Sequence, residues 1–389
     1  MYKFFGYLSV VACSLSLSAA TAQTVTDVED PIAAAQANTL NDQPIAQVSA
    51  RLAYNSDAGP VVGLGIGTDR LFGRDQTLRF NLEAQEGGTR LSFLYNNDAI
   101  FGSSPTFGLR VLRSDNRAGS VYGFDATVMR IEPRLTWRVS PTLMTSAYVY
   151  YALNEIENVS PTNSALLRAD EGTQTAGAVG VDFDVRFPGA DGASLHNARL
   201  RFGAEVGSTS RDHDFLRLTA RADAIHVFGG GNVVFRSQLR VGALNSLSGN
   251  SSIGDRFMLG QASIRGFEFG GFGPRDLAVA NTPALGGNYY GITRFDAQFP
   301  NALGESGFAE RLTPGVFMDV GSLWGLDSVA GGVAGATPVD DGSNLRASIG
   351  LTMRIDTGLG PIQMYVAHPL AEEGYDRTQA FGLTFSHSF

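Results

Sequence analysis

Lysine and cysteine are almost missing from this chain: Lys3 and Cys13 are the single representatives of each among 389 residues. Both fall in the first 22 residues, so everything downstream can form neither a disulfide nor a thiolate metal site. With histidine counted neutral, its side-chain cations are all arginine, which stays charged when desolvated and meets carboxylates through a rigid fork. Positive charge is also in deficit, Lys+Arg 29 against Asp+Glu 38 for a net −9, which excludes a nucleic-acid binder relying on phosphate neutralisation. Long apolar runs are missing too. Beyond residue 23 no stretch approaches the ~18 uninterrupted apolar residues that a membrane helix requires, so a helical membrane protein is excluded. What the chain has in quantity is glycine, 47 residues, and aromatic side chains, 10%. That apolar content is ample for a buried core and excludes a disordered chain.

The first residues read as an export signal. Lys3 precedes a mostly apolar run from Phe4 to Leu17, followed by the small-x-small sequence Ala20-Thr21-Ala22, so residues 1–22 are expected to be a signal peptide cut after Ala22. A lipoprotein reading at Cys13 has too few apolar residues ahead of it and lacks the usual leucine. Residues 23–43 are polar and aperiodic and read as a short periplasmic leader.

From residue 44 to 389 the dominant signal is period-2 alternation. Val179, Val181, Phe183, Val185 and Phe187 alternate with Gly180, Asp182, Asp184 and Arg186. The same pattern recurs at 198–206, 216–224 and 345–356, and none of the four apolar faces holds a charge. A soluble sandwich also alternates, but its strands average about five to six residues and its wet face favours Lys, Glu and Thr. Strands of ~10 residues, with a polar face mixing Arg, Asp, Glu and Gly, fit a tilted crossing of lipid around a polar lumen.

Sixteen segments are expected, at 47–55, 60–69, 76–85, 89–97, 106–114, 124–137, 143–153, 173–187, 198–208, 215–227, 232–244, 288–299, 313–322, 345–357, 360–367 and 380–389. The fold class is therefore all-β: a 16-stranded antiparallel transmembrane β-barrel, the closed form in which every backbone amide is satisfied without helices. An even count puts both termini on one side. Tight connections such as Val139-Ser-Pro-Thr142 would be periplasmic, and the long ones, 154–172, 245–287 and 323–344, extracellular. The carboxy-terminal strand ends on Phe389 with Phe381, Leu383, Phe385 and His387 on one face, which resembles the outer-membrane assembly address and places the chain in the bacterial outer membrane.

The longest connection contains Ile264-Arg265-Gly266-Phe267, then Gly273-Pro274-Arg275-Asp276 and Leu285-Gly286-Gly287-Asn288. Here the chain resembles the BamA-type assembly and translocation superfamily, the bacterial surface antigen barrels, in which a long loop folds into the lumen and presents an Arg-Gly-Phe tip. Further matches are Phe317-Met-Asp319-Val-Gly321 with Trp324, Gly358-Leu-Gly-Pro361 with Met364-Tyr365, and the turn Asp69–Arg74. Relatives usually carry several soluble POTRA modules ahead of the barrel; only about 20 residues stand there in this chain, so the expectation is a POTRA-less member. Ser386 stands where close relatives have a kink-forming glycine.

Elementary electrostatics leads to the same loop. An arginine reaching into a barrel would be a costly unpaired cation unless carboxylates meet it. Strand parity turns Asp296 and Asp319 inward on neighbouring strands, so Arg265 is expected to be clamped by both, with Gly266 allowing the turn and Phe267 packing on the wall. A phosphate cradle is excluded by the lack of lysine. Five scattered histidines lack metal-ligand spacing, and no Gly-x-Ser-x-Gly elbow is present, so neither a cofactor nor an enzyme is expected. The pairs Asp340-Asp341 and Glu372-Glu373 read as solvated loop acids. The resemblance implies outer-membrane lipid and lipopolysaccharide as surroundings, unfolded outer-membrane or secreted proteins as clients, and a separate periplasmic partner in place of POTRA modules. A weak seam is expected between the first and last strands, at Val48, Ala50, Leu52, Phe381, Leu383, Phe385 and Phe389. The rival reading is a plugged passive channel or a structural barrel.

Overall fold

Alternation over this many segments folds, in a computed structural model, into one closed antiparallel sheet. The structure describes residues 47–55, 59–68, 76–85, 87–98, 100–102, 104–117, 124–189, 195–304, 306–358 and 360–388. The expected signal peptide, leader, Asp69–Arg74 turn and Phe389 lie outside them. The wall is built from β1 (Gln47–Asn55), β2 (Gly59–Thr68), β3 (Gln76–Gln85), β4 (Gly88–Asn97), β5 (Thr106–Arg117), β6 (Asp125–Arg138), β7 (Leu143–Glu157) and β8 (Gly172–Pro188). It continues through β9 (Leu195–Thr209), β10 (Asp214–Phe228), β11 (Val233–Ser248), β12 (Tyr289–Gln298) and β13 (Leu312–Trp324). A two-residue hairpin, β14 (Ala330–Gly331) and β15 (Thr337–Pro338), stands in the next loop, and β16 (Arg346–Thr357), β17 (Gly360–Ala371) and β18 (Phe381–Ser388) complete the wall. Each barrel strand pairs with its chain neighbour, and β18 pairs with β1 to close the cylinder.

The pleat sorts the side chains. Val179, Leu239, Val316 and Leu351 point outward and are exposed, whereas Glu205, Arg217, Phe317 and Asp319 point into the lumen and are buried. Several strands run further than their apolar alternation: β5 to Arg117, β7 to Glu157, β11 to Ser248 and β17 to Ala371. The reason is that ladder pairing continues past the lipid zone, where outward residues such as Asn245, Glu155 and Glu157 no longer need to be apolar.

Wall height is uneven. β7 to β11 hold 15 to 17 residues each, whereas β1 holds 9 and β18 holds 8. A tilted crossing takes ~9–11 residues, so among the described residues the wall is thinnest where it closes. The closing ladder runs from Arg51↔Ser388 to Asn55↔Thr384. Among the described residues Val48 and Ala50 pair only with β2, opposite Ile66 and Leu64.

The segment between β11 and β12 does not extend into solvent. Nearly all of residues 251–276 are buried, and the upper lumen is a protein core. Phe257, Leu259, Ile264, Phe267 and Phe272 of the loop pack with Tyr150, Phe215, Leu244, Ile292 and Leu323 of the wall. A second cluster joins Ile253, Met258 and Leu285 to Phe124, Ile156 and Leu167, the last from helix α1 (Ala165–Ala169). The acids Asp340 and Asp341 correct an expectation: both are half-buried in this cap, where Asp340 accepts from the Tyr375 hydroxyl at 2.8 Å and Asp341 from the Leu326 amide at 3.1 Å. Loop position suggested solvation, but the loops fold on one another.

Leu351 lies at mid-strand on the outer face of β16, 65% exposed. Leu351→Arg is expected to destabilise the barrel in phospholipid vesicles by about 2–4 kcal/mol in denaturant titration. Arg354→Gln, on the lumen face of the same strand, is expected to stay within about 0.5 kcal/mol.

Candidate functional site: the plug loop and its latch

Arg265 is the lowest-lying charge of the plug loop, and the wall supplies it with two carboxylates. Asp319 on β13 accepts from its backbone N–H at 2.9 Å, from Nε at 2.8 Å and from Nη2 at 2.6 Å. Asp296 on β12 accepts from Nη1 at 2.6 Å and Nη2 at 3.2 Å. Burial alone would push the guanidinium toward its neutral form, but the two carboxylates outweigh it and hold Arg265 above its ordinary value. A second cation, Arg294, sits 3.6 Å from Asp319 and donates to the Ala262 carbonyl at 2.7 Å. Two cations and two anions thus form a neutral quartet in the barrel interior.

Phe317 completes the seat. Its ring lies under the Arg265 guanidinium, 3.7 Å from carbon to centroid, a cation–π contact strengthened by the burial of both groups. The ring overlies Gly350 on β16, where an added Cβ would fall 2.5 Å from it. Phe317 also meets Tyr365 of β17 edge-on at 5.9 Å, and Tyr365 covers Gly382 of β18 while its hydroxyl donates to the plug residue Gln261 at 2.7 Å. Contacts therefore run from the latch through Phe317 and Tyr365 to the last strand.

Gly266 has φ +94°, with its carbonyl accepting from the Gln379 amide at 2.8 Å. A side chain there would also crowd Ala367, 3.1 Å from the Cβ position. Phe267 is fully buried, but its ring partner is Phe272 of the same loop at 5.4 Å, while its backbone bridges to Thr378. The tip is thus closed over by the loop between β17 and β18 as well as by the wall.

The plug has a second anchor at its root, which sequence reasoning missed. Asp255 accepts from the Ser252 amide at 2.9 Å and from Gln174 at 3.1 Å, with His213 Nδ1 3.3 Å away. Arg217 donates to the Asp255 carbonyl at 2.7 Å and pairs with Glu205, which also accepts from Tyr148 at 3.1 Å and Tyr150 at 3.4 Å. Burial opposes the Asp255 charge, but His213, Ser252, Gln174 and Arg217 prevail and lower its pKa to about 2. Parity could have turned Arg217 and Glu205 inward; nothing local tied Asp255 to His213. Of the other histidines, His226 stacks on Phe228 at 6.0 Å, and the side chain of His387 lies outside the described residues.

Of the expected seam residues, Phe385 pairs with both Tyr54 and Ile362, and Leu52 lies opposite His387. Phe381 and Leu383 face β17 residues Val366 and Met364. The side chain of Leu52 and all of Phe389 lie outside the described residues.

Residues 70–389 match the family model of the Omp85 superfamily domain. Among solved structures the chain is similar to the BamA of Haemophilus ducreyi lacking POTRA domains 1-3, with TM-score 0.74 and 14% identity over 90% of this chain and 71% of that one. It is also similar to the CdiB of Acinetobacter baumannii (TM-score 0.55, 12% identity, 90% and 61% covered) and the CdiB of Escherichia coli (0.59, 12%, 90% and 64%). At these identities the likeness establishes the fold.

Removing one partner of a buried pair costs about 3–5 kcal/mol, because the other charge is stranded. Asp319→Ala is expected to loosen the plug by about that amount: limited proteolysis should cut within residues 249–288 while heat-modifiable gel mobility reports an intact barrel. Asp255 gives a pH signature. Its contribution is fully present above the ordinary value of 3.8 and is lost as pH falls through about 2, so amide exchange near residue 255 should accelerate only across that window.

Proposed function

The chain belongs to the Omp85 superfamily of outer-membrane transport and assembly barrels, and we propose that it inserts or translocates protein segments by parting β1 from β18 while the plug stays latched through Arg265. The observation that carries this reading is the attachment of β18. Among the described residues this strand pairs with β1 over Arg51–Asn55 and with β17 over Ile362–Val366, whereas β7 and β8 pair from Leu143 to Ile156.

The two flanks of β18 are not equivalent. On the β17 side, Tyr365 is seated over Gly382 and the Ala367 amide donates to the Ala380 carbonyl at 2.7 Å, which prolongs the ladder. On the β1 side the described attachment is the backbone ladder from Arg51 to Asn55. Opening is therefore easiest at β1. An opened edge in lipid presents unpaired backbone groups, which an incoming hairpin can satisfy. The clients of this reading are unfolded outer-membrane or secreted proteins, brought by a periplasmic partner, and the opening is set among outer-membrane lipid and lipopolysaccharide. The fully occupied upper lumen favours this lateral route over passage along the barrel axis.

Because Cys13 is the one native cysteine, a lock across Tyr54 and Phe385 has a clean background. Tyr54→Cys with Phe385→Cys, oxidised, is expected to abolish insertion of an outer-membrane client into proteoliposomes, and reductant to restore it. Undiminished insertion with the disulfide formed overturns the proposal. Large, steady conductance in planar bilayers, unaltered by Arg265→Ala, would assign the chain to the passive channels instead.

A further inference from the structure

Connecting loops are ordinarily the loosest parts of a fold, but the chain that leads into β18 is held at each of its last five residues. Arg346 of β16 donates to Asp376 from Nε at 2.7 Å and from Nη2 at 3.0 Å, a two-pronged pair whose side chains are 1% and 0% exposed. Arg377 donates from its amide to the Gly271 carbonyl at 2.9 Å and accepts from the Glu268 amide at 3.0 Å. Thr378 bridges to Phe267, the Gln379 amide donates to the Gly266 carbonyl at 2.8 Å, and the Ala380 carbonyl accepts from the Ala367 amide at 2.7 Å. β18 begins at the next residue.

The plug tip and this segment therefore form a short antiparallel ladder of their own. It is closely packed: a Cβ added at Gly271 would fall 2.5 Å from the Arg377 carbonyl oxygen. Just upstream, the Tyr375 hydroxyl accepts from Arg346 Nη2 at 3.3 Å and donates to Asp340 at 2.8 Å, which joins the segment to the loop between β13 and β16. β1 meets β18 further along, from Thr384 to Ser388. The two attachments break differently. Freeing residues 376–380 strands a buried charge and removes three backbone bonds to a loop that is itself latched through Arg265. Parting β1 from β18 unzips a ladder pair by pair.

We propose that residues 376–380 are a fixed pivot: β18 swings away from β1 starting at its Ser388 end, while its Phe381 end stays joined to the plug and to β16. This inference rests on the lateral reading above and adds the direction of opening to it. Hinges are a few residues at the end of an element about which the rest turns, and the positions just after Ala380 are the first in β18 free to do so. The edge offered to a client is then Thr384–Ser388, at the end of the wall away from the plug. A client strand pairs there first and advances toward Phe381, and the plug and the pivot move as one body throughout.

The test uses the full chain in proteoliposomes. Glu268→Cys with Arg377→Cys sets two thiols across the plug–pivot ladder, where a Cα separation of about 5 Å suits a disulfide. Oxidised and reduced forms of the same variant are compared, which cancels the effect of the substitutions. Insertion of an outer-membrane client is expected to agree within about twofold between the two forms, whereas the Tyr54–Phe385 lock abolishes it. If oxidation of the pivot pair also abolishes insertion, the pivot is overturned and the lateral reading stands. If the seam lock has no effect, the lateral reading falls and amide exchange decides the pivot. Gln379→Pro deletes the amide bonded to Gly266 and keeps the Arg346–Asp376 pair; Asp376→Asn does the reverse. Each is expected to speed exchange at Phe381–Leu383 about tenfold or more, with Val179–Phe183 of β8 unchanged. Exchange at Phe381–Leu383 equal to that of the native chain in both variants overturns the pivot.

Discussion

A guanidinium cannot be left alone in a lumen packed with apolar side chains, and this constraint organises the plug. Removing Arg265 from water is tolerable because Asp319 and Asp296 receive five N–H donors between them and Phe317 covers the cation's face. The requirement then spreads outward. Asp319, fully buried, needs Arg294 to balance the pair of acids, and Arg294 in turn binds the plug backbone at Ala262. Phe317 can lie flat only because Gly350 leaves space beneath it. One buried charge thus dictates residue types on β12, β13 and β16.

Arg275 shows the other way of burying an arginine. It lies in the same loop, but its donors go to the carbonyls of Thr282 and Gly270, and burial, with Arg377 nearby, brings it down to about 10. Carbonyl dipoles suffice to shape the upper loop, and backbone bonds to Asp340 hold it under the cap. They do not anchor it to the wall. The wall anchors are the charge clusters at Arg265 and Asp255, one at the tip and one at the root. Between these anchors the apolar residues fill space that ions could not occupy without further partners.

What could be read beforehand followed the period of the chain. Alternation located the sixteen barrel segments and fixed the lumen face of those around the latch, so Asp296 and Asp319 could be turned toward Arg265 without coordinates. Phe317 shares that parity, yet its role stayed hidden because an inward aromatic has no charge requirement that names its partner. Asp255 with His213 was illegible for a different reason: the two belong to separate connections and meet only when the loop folds down between the walls. The ends of β7 and β11 were missed because alternation reports lipid contact, while pairing extends beyond it. Asp340 looked solvated because position in a loop says nothing about which other loops cover it.

The two sides of the cylinder have unequal work. From β6 to β11 the strands are long and tied along the lumen face by Arg–carboxylate contacts, with tyrosines interleaved between them. Among the described residues the β18 ladder is short on both flanks, and no ion pair within them reinforces it. Such a strand would be poorly positioned on its own. Its support comes from Tyr365, which lies over Gly382, touches Phe317 edge-on and bonds the plug through Gln261. The plug therefore steadies the thin side of the wall as well as filling the lumen. A disturbance at Arg265 has a contiguous path of contact to the closing strand through Phe317, Tyr365 and Gly382.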